Sequence, residues 1–500
     1  MIIDDGFTSC LSAMNQFIAS KFTMVIFGGA GDLAQKKLLP TIYLLFKKGF
    51  IKEFSILGFG LPQMSDSEYR ENIKKWLSEN IKESLDQKTF SQFIENIFYL
   101  SNDLKDPKSY SQLCKKITDL TNDDESINLI YYFAVPPNIF TTIVDNLSDK
   151  NLCRQRKNAK VVIEKPFGHN KKTAHELNLK LLEAFDEKQI YRIDHYLGKE
   201  TVQNVFFFRF GNALFEPLWN RNFIDHIQIT VFEDIGIENR GFFYESASII
   251  GDIVQNHIMQ LIALIAMEPP PNFDADSIRN ERLKVLKSIQ PIEDKSIVLA
   301  QYEEGFLNNK KVCSYLDEKN VDKNSNTPTF FAGKFFIDNW RWANVPFYVR
   351  AGKRLKKRFT EVSIHFKFPP LKLLGHKCKD IEQNQIVFSI FPKQKIELKF
   401  NVKYPGMENI PYLVDMMFDY KEVFNIEYPL AYERILIDTM KSDITLFATQ
   451  KGIEAMWSNV DPIVEFSKKL NSIKKYPSGS IGPEEAVNLI EKDNRKWRDV

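Results

Sequence analysis

The chain has 500 residues, more than one typical hydrophobic core can organise, so two domains are expected. Lys and Arg number 67 against 65 Asp and Glu, a balance that implies no global attraction to nucleic acid or to a membrane surface. The five cysteines, Cys10, Cys114, Cys153, Cys313 and Cys378, are scattered, form no CxxC pair and suggest neither zinc nor a disulfide framework, which points to a reducing cytoplasm. The first residues carry Asp4 and Asp5 without a basic region or a long apolar run, so no signal peptide is expected there.

In chain order, Thr23 to Phe27 is a short β-rich apolar run followed at once by glycines, and Asp32 to about Lys48 has helical spacing. Phe54 to Phe59 reads as a second strand, and Ser65 to Phe98 as mostly helix. Ile127 to Val135 is a buried strand stopped by Pro136 and Pro137. After a further helix, the strand Ala159 to Ile163 runs into Glu164-Lys165-Pro166. Strands alternating with helices predict a doubly wound parallel α/β sheet over residues 21–193.

From there the pattern changes. Asp225 to Glu233, Phe331 to Phe336, Val362 to Phe368, Ile386 to Phe391 and Lys395 to Val402 read as strands in sequential pairing. Residues 194–500 are therefore expected to form a larger α+β domain on a mainly antiparallel sheet. Its most apolar segment, Ile249 to Met267, is broken by Asp252, Asn256, His257 and Gln260, so a buried helix suits it better than a membrane span.

Three segments carry chemistry. Gly28-Gly29-Ala30-Gly31-Asp32-Leu33-Ala34 lies between strand and helix, and Gly29-x-Gly31-x-x-Ala34 fits the dinucleotide fingerprint of a Rossmann domain. There the glycines turn the chain and let backbone reach a pyrophosphate, which the helix N-terminus faces. Around Arg192, RIDHYLGKE packs Asp194, His195, Tyr196, Lys199 and Glu200 into nine residues, a density that suits anion binding and the holding of a base. In the apolar helix, Asp252, Gln255, Asn256, His257 and Gln260 make a face too polar to bury without purpose. Lys165, after a buried strand, would stand at the carboxyl end of the sheet.

GGAGDLAQKKLLPTIYLLF from Gly28, EKPFG from Glu164, RIDHYLGKE from Arg192, DIVQNHIMQL from Asp252, VPFYVRAGKRL from Val345, YERILID from Tyr432 and SGSIGPEEA from Ser478 resemble, in order and spacing, the motifs of the glucose-6-phosphate dehydrogenase family. The resemblance implies oxidation of β-D-glucose 6-phosphate at C1 to the phosphogluconolactone by hydride transfer, the first oxidative step of the pentose phosphate pathway. It implies His257 as general base with Asp194 as its partner, and His195, Tyr196 and Lys199 as phosphate ligands. It also implies Lys165, Glu233, Asp252, Lys353 and Arg358 as substrate contacts, with Gly28, Gly29, Ala30, Gly31, Asp32, Leu33 and Lys165 on the cofactor. No metal is called for, and a homodimer or a dimer of dimers is implied.

The cofactor is expected to be NADP, with NAD or dual use left open. The family commonly has Arg two residues beyond Phe59, on the 2′-phosphate, and this chain has Leu61. Losing one charged hydrogen bond weakens NADP by about 1.5–3 kcal/mol. Lys36, Lys37 and Arg70 are other cations near that end of the strand. A catalytically silent sugar-phosphate or dinucleotide sensor on the same fold is the alternative function, and it predicts loss of Asp194, His257 or Lys165, all of which are present.

Overall fold

A computed structural model describes residues 18–81, 85–149, 158–371, 381–425 and 430–500. The first sheet has six parallel strands: β1 (Phe22–Phe27), β2 (Phe54–Gly60), β3 (Ile97–Ser101), β4 (Asn128–Phe133), β5 (Ala159–Ile163) and β6 (Ile190–Arg192). Their order is β3-β2-β1-β4-β5-β6, so the winding reverses between β1 and β4. Parallel strands covered on both faces need apolar residues throughout, and all six residues of β1 are buried. At such a reversal the connections diverge at the carboxyl ends of the strands, leaving a crevice where ligands bind.

The stretch expected to be helical through Phe98 is two helices, Asp66–Asn80 and Gln87–Ile94, followed by β3. In β3 only Ile97 and Tyr99 are buried, a five-residue edge strand whose period-two signal is too short to stand out behind helices.

The second sheet has nine strands: β7 (Ile224–Phe232), β8 (Ile297–Glu303), β11 (Phe330–Phe335), β12 (Phe347–Gly352), β13 (Phe359–Phe366), β14 (Gln385–Phe391), β15 (Lys395–Lys403), β16 (Pro411–Asp419) and β17 (Lys474–Pro477). A small hairpin, β9 (Gly305–Leu307) and β10 (Lys310–Val312), stands outside it. The order is β16-β15-β14-β13-β7-β12-β11-β8-β17, antiparallel except for β7 with β12 and β8 with β17. The mainly antiparallel sheet expected of this region is thus present, with β8, β12, β16 and β17 added to it. Arg350 breaks the apolar reading of β12. Its guanidinium is buried, donates to Thr230 Oγ1 at 3.0 Å and lies over the rings of Phe232 and Trp497.

The apolar segment is one helical run of three parts, Gly241–Ile249, Ile250–Ile258 and Met259–Ala266. By length and composition it could cross a membrane, yet its apolar window is wholly buried inside the protein. Ser248 (φ 53°, ψ −173°) interrupts it in a backbone region that only glycine adopts readily. The Ser248 hydroxyl then accepts the Ile250 N–H at 3.1 Å, and the helix restarts in a new direction. Ile250–Ile258 is a π-helix: the Met259 N–H reaches back to the Val254 carbonyl, five residues away.

Two compact units result, and they do not follow the expected 21–193 and 194–500 division. The first takes the chain through Lys165, Glu176–His195, and the segment containing the helix Ala431–Lys441 up to Ala448. The second takes Pro166–His175, the chain from Tyr196 through β16, and Thr449–Val500. The physical reasons are specific. Lys48 pairs with the buried Glu433 at 2.8 Å, and buried Lys160 of β5 donates to the Thr439 and Met440 carbonyls at 2.7 and 3.3 Å. The Trp457 indole donates to the Phe167 carbonyl at 2.8 Å, which ties residues 166–175 to the second unit. Cys114 and Cys313 are free thiols, and Cys10, Cys153 and Cys378 lie outside the described residues.

Lys160 serves as the cation at the C-terminal carbonyls of the returning helix. Lys160→Met, which strands those carbonyls, is expected to cost about 1–3 kcal/mol of stability, read as a lower urea midpoint.

Candidate active site

In the first unit the site begins at the turn after β1. Gly28 (φ 78°) donates its N–H to the Phe59 carbonyl at 2.8 Å, and Gly31 donates to the Gly28 carbonyl at 2.9 Å. A Cβ on Gly29 would stand 2.6 Å from Gly58 Cα, and one on Gly28 2.7 Å from the Ala134 carbonyl, so only glycine packs there. Within 4 Å, a Cβ on Gly31 would meet only the carbonyl oxygens of Gly28 and Ala134. Ala34 is fully buried as the small residue seating helix on strand. This tight turn, opening a helix at the reversal of the strand order, fits a dinucleotide pyrophosphate. Ala30 and Leu33 are half-buried in the turn, while exposed Asp32 is paired with Lys36 at 2.8 Å.

The cations near the end of β2 divide. Lys36 is held by Asp32, and Arg70 donates to the Ile97 carbonyl at 2.9 Å and lies against Phe98. Lys37 is exposed, and so is Leu61, at 61%.

At the carboxyl end of β5, one Glu164 oxygen accepts from the Tyr132 hydroxyl at 2.7 Å and the Tyr432 hydroxyl at 3.0 Å. The His195 ring lies parallel to Tyr432, centroids 6.5 Å apart. Lys165 is half-buried beside Glu164, and Asp194 is buried after β6. Burial pushes the Glu164 carboxyl above its ordinary value, against the pull of the two tyrosine hydroxyls and Lys165, while Asp194 adds to the rise. Burial raises both tyrosines as well. Arg192, at the head of the charged motif, is structural: fully buried, it donates to Asn178 at 3.1 Å and to both oxygens of Glu187.

In the second unit, Tyr196 is the centre of a stack. The buried His257 imidazole lies 4.0 Å from its ring, 20° from parallel, and Lys199 Nζ stands 3.6 Å from the same ring. Lys199 is also the N-cap residue of the helix Glu200–Phe210, so an ammonium and the positive end of a helix dipole coincide there. Such a place favours a phosphate.

Lys353, buried just beyond β12, is the second centre. Its ammonium is bonded to Glu233 at the end of β7 and lies 3.4 Å from the Asp252 carboxylate. Its main chain is fixed on both sides, by its N–H to Thr329 and by the Tyr476 hydroxyl on its carbonyl at 2.7 Å. The ring of buried Tyr244 stands 5.4 Å from the ammonium, and burial beside Asp252 and Glu233 raises that phenol. Arg358 stands apart from this cluster, exposed and over the Phe391 ring at 4.3 Å.

Sequence reading did not single out Tyr132 or Tyr244. Their signal was weak but present: a phenol in an apolar run needs a polar partner when buried.

A six-stranded dinucleotide-binding sheet, together with a unit that gathers an imidazole, a lysine at a helix N-terminus and a lysine between two carboxylates, defines a nicotinamide-dependent oxidoreductase of a polar, anionic substrate. Residues 25–204 match the family model described as glucose-6-phosphate dehydrogenase, NAD binding domain, and residues 206–498 match its C-terminal domain. The glucose-6-phosphate 1-dehydrogenase of Chlamydia pneumoniae is 41% identical over 95% of this chain and 96% of its own. That of Bacillus subtilis is 39% identical over 96% and 99%. Among solved structures, a glucose-6-phosphate dehydrogenase in complex with its substrate glucose-6-phosphate superposes with a TM-score of 0.88 at 32% identity, covering 97% of this chain and all of that one. The chain belongs to the glucose-6-phosphate dehydrogenase family.

Because the Glu164 carboxyl is raised on folding, the folded state holds its proton more tightly than the unfolded chain does. Its stabilising contribution is therefore full at acid pH, below the ordinary glutamate value, and is lost as pH rises through the raised one. Glu164→Gln, which keeps an acceptor for both phenols, is expected to flatten that loss. Urea midpoints at pH 5 and pH 8 would differ less in the variant than in the parent.

Proposed function

We propose that this glucose-6-phosphate dehydrogenase uses His257 to take the proton of the C1 hydroxyl of β-D-glucose 6-phosphate while the C1–H bond breaks. The C1–H electron pair leaves as hydride, the C1–O bond becomes the carbonyl of 6-phospho-D-glucono-1,5-lactone, and the hydroxyl proton ends on the imidazole. The observation that carries this reading is a buried imidazole stacked on Tyr196, in the unit that also holds the Lys353–Glu233–Asp252 cluster. The chain around it matches the family from end to end. A bound nicotinamide dinucleotide supplies the hydride acceptor.

Each remaining residue has a role by its chemistry. Asp194 orients the His257 imidazole and balances the imidazolium as it forms. His195, Tyr196 and Lys199 hold the phosphate dianion through charge-assisted bonds. Glu233 and Asp252 accept from ring hydroxyls, with Lys353 between them as the countercharge. Lys165 reaches the sugar, and Arg358 supplies a further basic contact from the start of β13. Gly28, Gly29, Ala30, Gly31, Asp32 and Leu33 form the cofactor turn. NADP is the proposed cofactor, with NAD used alongside it because Leu61 offers the 2′-phosphate no charge. The proposed assembly is a homodimer, and the proposed compartment the cytoplasm.

Reduction followed at 340 nm is expected with glucose 6-phosphate and not with glucose. Absence of reduction with both NAD and NADP overturns the reading. His257→Asn is expected to lower kcat by about 10²–10⁴-fold. For the cofactor, Leu61→Arg is expected to raise the NADP to NAD ratio of kcat/KM by roughly ten- to a hundred-fold, the worth of one charged hydrogen bond. An unchanged ratio would place 2′-phosphate recognition elsewhere.

A further inference from the structure

The segment that carries Asp252 and His257 is a π-helix, and its geometry decides where those two side chains point. In an α-helix, residues five apart are rotated by about 500°, roughly 140° beyond a full turn, and face different sides. In a π-helix, positions i and i+5 lie one turn apart and share a side. Asp252 and His257 are five apart, and both are buried. The wider helix therefore lets one element present a carboxylate and an imidazole together.

A π-turn is less favourable than the α-helical alternative, so something must hold it. The side chain that does so is Asn256. Its Nδ2 donates to the Gly251 carbonyl at 2.9 Å, reaching back five residues, and its Oδ1 accepts the His257 backbone N–H at 2.6 Å. Asn256 is itself buried, at 3% exposure, so neither bond competes with solvent. An amide side chain thus links the Gly251 carbonyl to the His257 N–H, immediately beside the residue that carries the imidazole. Alanine offers nothing to either group, and a carboxylate can accept but not donate.

We propose that Asn256 is a positioning residue for the oxidation, acting through His257: it maintains the π-helical register that brings His257 and Asp252 to one side. This rests on the reading of His257 as the base. Asn256 has no part in holding the phosphate, so its loss falls on the chemical step more than on substrate capture.

The test compares Asn256→Ala and Asn256→Asp with the parent enzyme and with His257→Asn. Four quantities are measured: kcat and KM, the dissociation constant for glucose 6-phosphate, the melting temperature, and the deuterium isotope effect on kcat with substrate labelled at C1. Asn256→Ala is expected to lower kcat about 10- to 100-fold, the effect of a small misplacement of a reacting group. KM and the dissociation constant should rise by a smaller factor than kcat falls, because His195, Tyr196 and Lys199 are untouched while only the Asp252 contact shifts with the register. The isotope effect should rise as proton and hydride transfer become rate-limiting. Asn256→Asp, which keeps the oxygen facing the His257 N–H, should fall between parent and alanine variant, and it carries the test if the alanine variant does not fold.

A kcat within threefold of the parent with an unchanged isotope effect overturns the proposal. Loss of glucose 6-phosphate binding in step with the melting temperature also overturns it, as does failure of both variants to fold, since either marks a purely structural residue. An active His257→Asn enzyme would instead remove the base assignment. A dead His257→Asn beside a fully active Asn256→Ala would remove this inference alone.

Discussion

The second unit depends on a conflict inside one helical run. Gly241–Ala266 must be apolar enough to fill a core, yet it carries Asp252, Gln255, Asn256, His257 and Gln260, all buried. Each such group would cost several kcal/mol if left unmatched, on the order of 2–7 for a neutral one. The surrounding elements therefore exist partly to match them. Lys353, brought in by β12, answers Asp252; Arg282 donates to Gln260; Tyr196 lays its ring on His257; and Asn256 is answered by the helix's own backbone. The cluster that carries the chemistry in the proposed reading thus also supplies partners to polar groups buried in this core, Gln255 excepted, whose Nε2 has no hydrogen-bond partner among the described residues.

The first unit resolves a different conflict. Its sheet must be apolar on both faces, so polar chemistry is confined to the carboxyl ends of the strands. Gly28 to Gly31 after β1, Glu164 and Lys165 after β5, and Asp194 and His195 after β6 all sit in that position. Glu164 shows the cost of standing there. Its carboxyl is buried and pushed upward, and two phenols are spent on one of its oxygens. Tyr432 reaches it from the returning C-terminal segment and also faces His195, so the surroundings of that histidine include residues far away in the chain.

Much of this was legible in the sequence, and for physical reasons. A buried parallel strand is an unbroken apolar run, so β1, β2, β4 and β5 are visible directly. Glycines needed for backbone contact cannot be disguised, and the polar face of the apolar helix stands out against its surroundings. The misses have equally concrete causes. β3 alternates over too few residues, and β12 hides behind a buried arginine explained by Thr230, the Arg498 carbonyl and two rings, partners that spacing does not reveal. Arg192 sits among candidate site residues yet serves the fold, a distinction made by Asn178 and Glu187 and not by spacing. The π-helix left no trace in hydrophobic periodicity, because every position in it is buried and no exposed face marks the turn.

The threading of the chain between the two units bears on how the protein is made. The helix Ala431–Lys441 belongs to the first unit, although the strands of that unit are complete by Arg192. During translation, the sheet emerges long before the segment that supplies Glu433 to Lys48 and the carbonyls to Lys160. At typical elongation rates the interval is on the order of ten to fifty seconds. Through that time the nascent first unit carries a buried-type lysine and an uncovered helix face with no partner yet synthesised. Its assembly waits on its last segment, even though about nine-tenths of its residues leave the ribosome first.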